Sequence, residues 1–321
     1  MGVEFANTQA HRHTIKMTKF QVTILGCGSA MPTTLHHPPA QLVNVNEKLF
    51  MIDCGEGTQL QMRKFQMRMS KLHSIFISHL HGDHIFGLPG LISTLSLIGR
   101  KVDLNIYAHK EIDALIHPLT QYLGTRLSFK INIIPLQADE RQLIFENGSL
   151  RIFSFPLKHR MPTNGFLFEE KERPRNVIRE MIRFYNIPVR QIREIKEGGD
   201  FITPDGTVIR NEILTHPVRP QRRFAYCSDT AFYPEVATHI QHADLLYHEA
   251  TFAESEAKRA GETYHSTARE AALVAKEANV KRLIIGHFSS RYNELDNLLN
   301  EAKAVFPNTE LAEEGKTWEV E

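Results

Sequence analysis

Short apolar runs recur along the chain, each ending in a polar loop. Phe20–Leu25 alternates and is β-branched, which predicts a strand. Gly26-Cys27-Gly28-Ser29 then turns it; a third glycine is missing and no helix follows, so a tight turn is the better reading than a phosphate loop. Leu49–Ile52, Ser74–Ile77, Val102–Tyr107, Lys130–Pro135, Leu150–Phe155, Phe224–Cys227, Asp244–Tyr247 and Lys281–Ile285 predict further strands. Helical patterns fall between them. Gln59–Met69 is mixed, Leu88–Ile98 is apolar on most sides and reads as a core helix, and a polar helix separates Tyr107 from Lys130. Ala268–Ala278 is a clean helix former opened by Thr267 and Glu270 in a capping-box pattern. An amphipathic helix over Glu294–Val305 is expected to close the chain. The alternation implies an α/β protein with no internal repeat. One stretch breaks it: Glu169–Asp200 is helical, amphipathic and polar.

The loops after these strands carry the chemistry. Ser78-His79-Leu80-His81-Gly82-Asp83-His84 joins the strand at Ser74–Ile77 to the helix opened by Ile85-Phe86-Gly87-Leu88-Pro89-Gly90. Neutral imidazole and carboxylate are good ligands for zinc and similar divalent ions. Ligands at i, i+2, i+4 and i+5 are more than one open tetrahedral ion can take from so short a loop, but two adjacent ions can share them. His159, Asp229 and His287 each also lie just past the end of an apolar strand. Loops at one edge of a layered sheet converge, so these groups are expected to form one site.

Composition narrows the classes. The 321 residues are 42% hydrophobic and 23% charged, ordinary values for a chain able to bury a substantial core. Net charge is +1, so affinity for nucleic acid would have to come from a local patch. Between Lys171 and Lys196 eight basic residues face three acidic ones, among them Arg173, Arg179, Arg183 and Arg190. The three cysteines, Cys27, Cys54 and Cys227, are far apart and form no CxxC pair, which points to a reducing, cytoplasmic setting. No apolar run approaches a membrane span. Residues 1–16 lack an apolar signal core and are expected to be a disordered extension, with residues 17–321 as one catalytic domain.

HLHGDH resembles the HxHxDH signature of the metallo-β-lactamase superfamily, and with IFGLPG it resembles the ribonuclease Z family in particular. The likeness extends from about Lys19 to the C-terminus. It implies a four-layered αβ/βα sandwich with an inserted helical arm at about 169–200 that holds the body of a tRNA. It implies two divalent metal ions, with zinc the expected metal. His79, His81 and His159 would hold one, Asp83, His84 and His287 the other, and Asp229 would bridge them. Asp53-Cys54-Gly55-Glu56-Gly57-Thr58 resembles the segment that supports the metal loop, with Asp53 read as a partner to a metal-binding histidine, a helix cap, or both. His248-Glu249-Ala250-Thr251 followed by Tyr264-His265-Ser266-Thr267 resembles the pair of motifs that sets this family and its nearest phosphodiesterase relatives apart. By that likeness His265 is the candidate general acid, polarised by Glu249, and Asp83 also orients the nucleophile. Arg179, Arg183 and Arg190 are candidate tRNA contacts. Arg291 is either a phosphate contact or a structural ion pair. The family's Gly-Pro-rich arm element is absent, with Ile187-Pro188-Val189-Arg190 in its place. The implied activity is metal-dependent endonucleolytic removal of the 3′ trailer from precursor tRNA by a homodimer, leaving a 3′-hydroxyl and a 5′-phosphate. The alternatives are a small-molecule phosphodiesterase of the same fold, or a non-catalytic RNA-binding paralogue.

Overall fold

The computed structural model describes residues 18–122, 127–172, 174–218 and 220–321. The N-terminal extension read at 1–16, and Arg173 of the basic stretch, lie outside the described residues.

Two seven-stranded sheets pack face to face. The first contains β1 (Phe20–Gly26), β2 (Ala40–Val45), β3 (Lys48–Ile52), β4 (Leu72–Phe76), β5 (Leu104–Ala108) and β6 (Ile131–Pro135). The second contains β7 (Gln142–Glu146), β8 (Leu150–Pro156), β9 (Asn164–Glu170), then, beyond the short hairpin β10 (Phe201–Ile202) and β11 (Val208–Ile209), β12 (Arg223–Cys227), β13 (Leu245–Glu249) and β14 (Arg282–Gly286). The last helix does not close the chain as expected. After it β15 (Thr309–Leu311) extends the second sheet beside β14, and β16 (Thr317–Glu319) extends the first beside β1. The stretch Thr309–Glu319 therefore ties the two sheets together at one edge.

Helices cover both outer faces. On the first sheet lie α1 (Thr58–Lys64), the single turn α2 (Gly82–Ile85), α3 (Leu88–Leu97) and α4 (Asp113–Tyr122), with Met62, Leu88, Leu91 and Ile116 packed on Met51, Ile75 and Ile106. Between β9 and β12 lie α5 (Arg179–Phe184), α6 (Val189–Lys196) and α7 (Asn211–Leu214). On the second sheet lie α8 (Ala257–Thr263), α9 (Ala268–Glu277) and α10 (Asp296–Val305). The alanines along one face of α9 are fully buried, which lets the helix approach β13 and β14 closely. The Thr267 hydroxyl accepts from the Glu270 amide at 3.2 Å while Glu270 accepts from the Thr267 amide at 2.8 Å, so the capping box is formed.

The core between the sheets is aromatic. Phe50, Phe76, Phe166, Phe168 and Phe224 are fully buried, and Phe76 stacks on Tyr107 at 4.6 Å. β12, β13 and β14 run parallel and are covered on both faces, hence their continuous apolar runs. β8 and β12 both run antiparallel to β9, so β8, β12, β13 and β14 end at the same edge of the sheet.

The polar stretch that interrupts the pattern is an insert between β9 and β12. Glu169 and Glu170 belong to β9, and the insert continues past Asp200 through β10, β11 and α7. It has its own small core of Ile187, Ile195, Phe201 and Leu214, separate from the two large ones.

Candidate metal centre

Tight packing of short loops gathers the polar groups. β4 ends at Phe76, and the chain crosses the sheet edge before α2 begins. Gly87 holds this crossing against the β3 loop: its amide donates to the Cys54 carbonyl at 2.9 Å, and a Cβ there would lie 1.9 Å from the Gly55 carbonyl oxygen. Only glycine permits that approach.

The loop presents His79, His81, Asp83 and His84 to one point, and the second sheet answers with His159 after β8, Asp229 after β12 and His287 after β14. Two groups form around Asp229. His79 Nε2 lies 2.9 Å from His81 Nδ1, His81 Nδ1 lies 3.3 Å from His159 Nε2, and His79 Nε2 lies 3.6 Å from Asp229 Oδ2. The other carboxylate oxygen, Oδ1, lies 3.4 Å from His84 Nε2 and 3.2 Å from His287 Nε2, which are 3.6 and 3.8 Å from Asp83 Oδ2. Ligands around one tetrahedral zinc stand about 3.3 Å apart. The donor set is imidazole nitrogen and carboxylate oxygen throughout. His84 Nε2 and His287 Nε2 are buried and make no hydrogen bond, an arrangement that suits a cation between them.

The electrostatics agree. Burial, the largest influence, holds His79 well below the ordinary histidine range and lowers His81 and His159, so these rings are neutral and ready to ligate. At His84 burial is outweighed by Asp229, Asp53 and Asp83, which raise its pKa well above the usual value. Burial opposes ionisation of Asp83 and Asp229, yet the surrounding imidazoles keep both carboxyls below their usual range.

The far ring nitrogens are fixed by a second set of contacts. His84 Nδ1 donates to Asp53 Oδ2 at 2.9 Å, and that buried carboxylate also accepts from the Ser78 amide, the Ser78 hydroxyl and the Tyr226 hydroxyl at 2.7, 2.9 and 2.7 Å. Asp53 thus supports the metal loop and does not cap α1, whose N-cap is Gly57. His159 Nδ1 donates to the Tyr264 carbonyl at 2.9 Å, and His287 Nδ1 lies 2.9 Å from Thr251 Oγ1. Such partners set the tautomer that leaves the other nitrogen free. The turn after β1 places the Ala30 amide 2.9 Å from Asp83 Oδ2. Thr251, Tyr226 and Ala30 escaped the sequence reading. Thr251 sits inside a quoted motif, while Tyr226 looks like any core tyrosine of a strand.

Glu249, the last residue of β13, is buried and fully engaged. Oε1 accepts from the Thr230 amide, the Ser266 amide and His265 Nδ1 at 3.1, 2.9 and 3.0 Å; Oε2 accepts from the Thr251 amide and hydroxyl at 2.9 and 2.7 Å. Burial lowers the His265 pKa, but the Glu249 charge and hydrogen bond overcome it and push it up to about 9. His265 Nδ1 stands 4.0 Å from Asp229 Oδ2, beside the ligand groups. The cleft above them, about 630 Å³, is lined by His81, Asp83, His159, Asp229, His265 and His287 among others.

Other candidates lie elsewhere. Arg291 pairs with Glu256 at 2.9 Å and stacks over Phe252 at 5.0 Å, the structural alternative. Arg179, Arg183 and Arg190 are exposed on the insert. Cys27, His36 and Glu314 also cluster, but Glu314 already accepts from His37 Nδ1 and Gln61 Nε2 at 2.8 and 2.7 Å, and burial pushes the Cys27 thiol up.

The chain is similar to known proteins. Residues 20–173 match a family model described as Anti-Pycsar protein Apyc1, and residues 191–288 one described as Beta-lactamase superfamily domain. Ribonuclease Z of Bacteroides thetaiotaomicron is 52% identical over 298 residues, covering 93% of this chain and 94% of that protein. Ribonuclease Z of Parabacteroides distasonis is 52% identical over 299 residues, covering 93% and 98%. Among solved structures, the short form of human tRNase Z aligns with a TM-score of 0.67 at 26% identity, covering 94% of this chain and 99% of that one. A metallo-β-lactamase fold protein of Bacillus subtilis aligns equally well, with a TM-score of 0.67 over 94% of this chain and 100% of that one, but at 21% identity it speaks only to the fold. At half identity over nearly its whole length, the chain belongs to the ribonuclease Z family of the metallo-β-lactamase superfamily.

Proposed function

We propose that this protein is the metal-dependent endonuclease that removes the 3′ trailer from precursor tRNA, with two divalent ions, zinc foremost, as its resident cofactor. The observation that carries this reading is the sharing of Asp229 between two ligand groups with the Glu249–His265 pair alongside. His79, His81 and His159 would hold one ion and Asp83, His84 and His287 the other, with the Asp229 carboxylate available to both. When bound, the ions supply Lewis acidity toward the scissile phosphate and an activated water.

The chain supplies the rest. Asp83, held by the Ala30 amide, orients the nucleophile. A ribose 3′-alkoxide is a poor leaving group and needs a proton. His265 donates it from Nε2, because Nδ1 is committed to Glu249. Glu249 fixes the ring, and its charge favours the protonated form. The tRNA keeps a 3′-hydroxyl and the trailer a 5′-phosphate.

Arg179, Arg183 and Arg190 hold the tRNA body through its phosphates, which gives affinity without sequence reading. The insert leaves the second sheet at the edge where β12 begins, whereas the cleft opens where β12 ends. One copy's insert therefore leads away from its own cleft, which supports a homodimer in which each insert serves the partner's cleft. Buried, unpaired Cys27, Cys54 and Cys227 support a cytoplasmic setting, and among the described residues no helix is long and apolar enough to cross a membrane.

The test is cleavage of a precursor tRNA with a short trailer, with and without chelator, with both product ends mapped. A chelator-sensitive cut at the acceptor-stem boundary leaving a 3′-hydroxyl is expected. No cut by metal-loaded protein that still hydrolyses a small phosphodiester would overturn the reading.

A further inference from the structure

We propose that Phe86 and Met31 form a stacking wall for the base of the first trailer nucleotide, the residue across the scissile phosphate from the tRNA; this rests on the reading of the site given above. Both line the cleft that contains the ligand groups, and both are exposed, Phe86 at 61% and Met31 at 65%. Single exposed apolar side chains are common on protein surfaces. Two at one catalytic cleft, joined there by Pro32 and Pro38, form an apolar border in an otherwise polar site.

The Phe86 ring rests against its own turn. It lies across Gly82, where an added Cβ would stand 2.3 Å from Phe86 Cε2, and its amide donates to the Gly82 carbonyl at 2.9 Å. The next residue, Gly87, is pinned to the β3 loop. With Gly82 against the ring and only two rotatable bonds in the side chain, little freedom is lost when a flat partner covers it.

Position selects the nucleotide. The leaving 3′-oxygen belongs to the tRNA and must face His265, whose ring neighbours are His159, His287 and Phe252 at 5.4, 5.5 and 6.1 Å. Phe86 instead borders Gly82, and Met31 follows Ala30, whose amide is bonded to Asp83. The tRNA end therefore lies toward His265 and the trailer toward the apolar wall. Every base has a π-face, so such a wall grips any trailer without reading its sequence.

The experiment compares two precursor tRNAs that differ only at the first trailer position, one with a normal nucleotide and one abasic, with the wild type, Phe86→Ala, Phe86→Trp and Met31→Ala. On the normal substrate Phe86→Ala is expected to lower kcat/KM by about tenfold, the size of one lost base–aromatic stack. Phe86→Trp, which retains a stacking face, is expected to lose less than Phe86→Ala on the normal substrate. On the abasic substrate the wild type has already lost that factor, and the gap between it and Phe86→Ala closes. Met31→Ala gives the same pattern and serves as the probe if Phe86→Ala does not fold. An equal loss on both substrates, or no loss on the normal one, overturns the stacking wall while leaving the family activity standing. Failure of the wild type to cut either substrate overturns the functional reading, and the wall with it.

Discussion

Buried Asp53 shows how much a single residue can organise. It adopts a left-handed backbone, φ 55°, and gathers four donors from the metal loop and β12. Asp53→Asn keeps the shape but can no longer accept from all four, and His84 loses its orienting partner. Metal affinity is expected to fall by about 10- to 100-fold, read as metal retained after dialysis against a weak chelator. His265 is proposed as the general acid and not as a ligand, so its loss should read out differently. His265→Ala is expected to retain the metals and bind tRNA while kcat falls by about 10²–10⁴; wild-type turnover would remove it from the chemistry. Its pH behaviour has a definite sign. The acid must be protonated, so the rate falls as pH rises through its raised pKa, about 9 in the protein without ions. Glu249→Gln removes the charge that raises it, and the falling limb is expected to move to lower pH in a pH–rate profile. Stability carries the same sign: the contribution is complete below the unfolded value near 6.5 and is lost as pH climbs through about 9.

Among the elements, the insert is the one whose loss the catalytic fold would tolerate. Its helices α5 and α6 close over Ile187, Ile195, Phe201 and Leu214 and share no large core with the sheets. Replacing Arg179, Arg183 and Arg190 together by glutamine is expected to weaken tRNA binding and reduce the salt dependence of log Kd by about two to three units. Hydrolysis of a small chromogenic phosphodiester should be spared. Equal losses on both substrates would make the insert a structural element. The extent of this element was hard to read in the sequence. The charge excess marked α5 and α6, but the two-residue strands β10 and β11 and the one-turn α7 are too short to carry a periodic signal.

Across the whole molecule, the site is a seam. His79 to His84 come from the first sheet, and His159, Asp229 and His287 from the second, so any ion bound there joins the two. Chelation is expected to lower Tm by about 5 °C or more, measured by thermal unfolding with and without added zinc. An unchanged Tm would mean that the residues do not hold the metal tightly. Besides the aromatic core, the chain's end joins the sheets, where β15 and β16 add one strand to each. β16 pairs with β1 across nearly the full length of the chain, Gln21 opposite Glu319.

What could be read without the fold is local chemistry. Imidazole and carboxylate at strand ends, an apolar run before a loop, and a hydroxyl three residues ahead of a glutamate all act within a few residues, and they marked the seven ligand candidates, β4, β8, β12 and β14, and the cap of α9. The pairing of distant segments could not be read that way. Ala40–Val45 and Asn164–Glu170 went unrecognised because a strand between two partners needs no alternation of its own, and Gln142–Glu146, an edge strand, because it is set by its pairing with β8. The commitment of Arg291 to Glu256, of Tyr226 to Asp53 and of Thr251 to His287 likewise follows from which loops the two sheets bring together. A hydrogen-bond partner is chosen by proximity in space, and in this chain proximity arises only once both sheets have closed on their aromatic core.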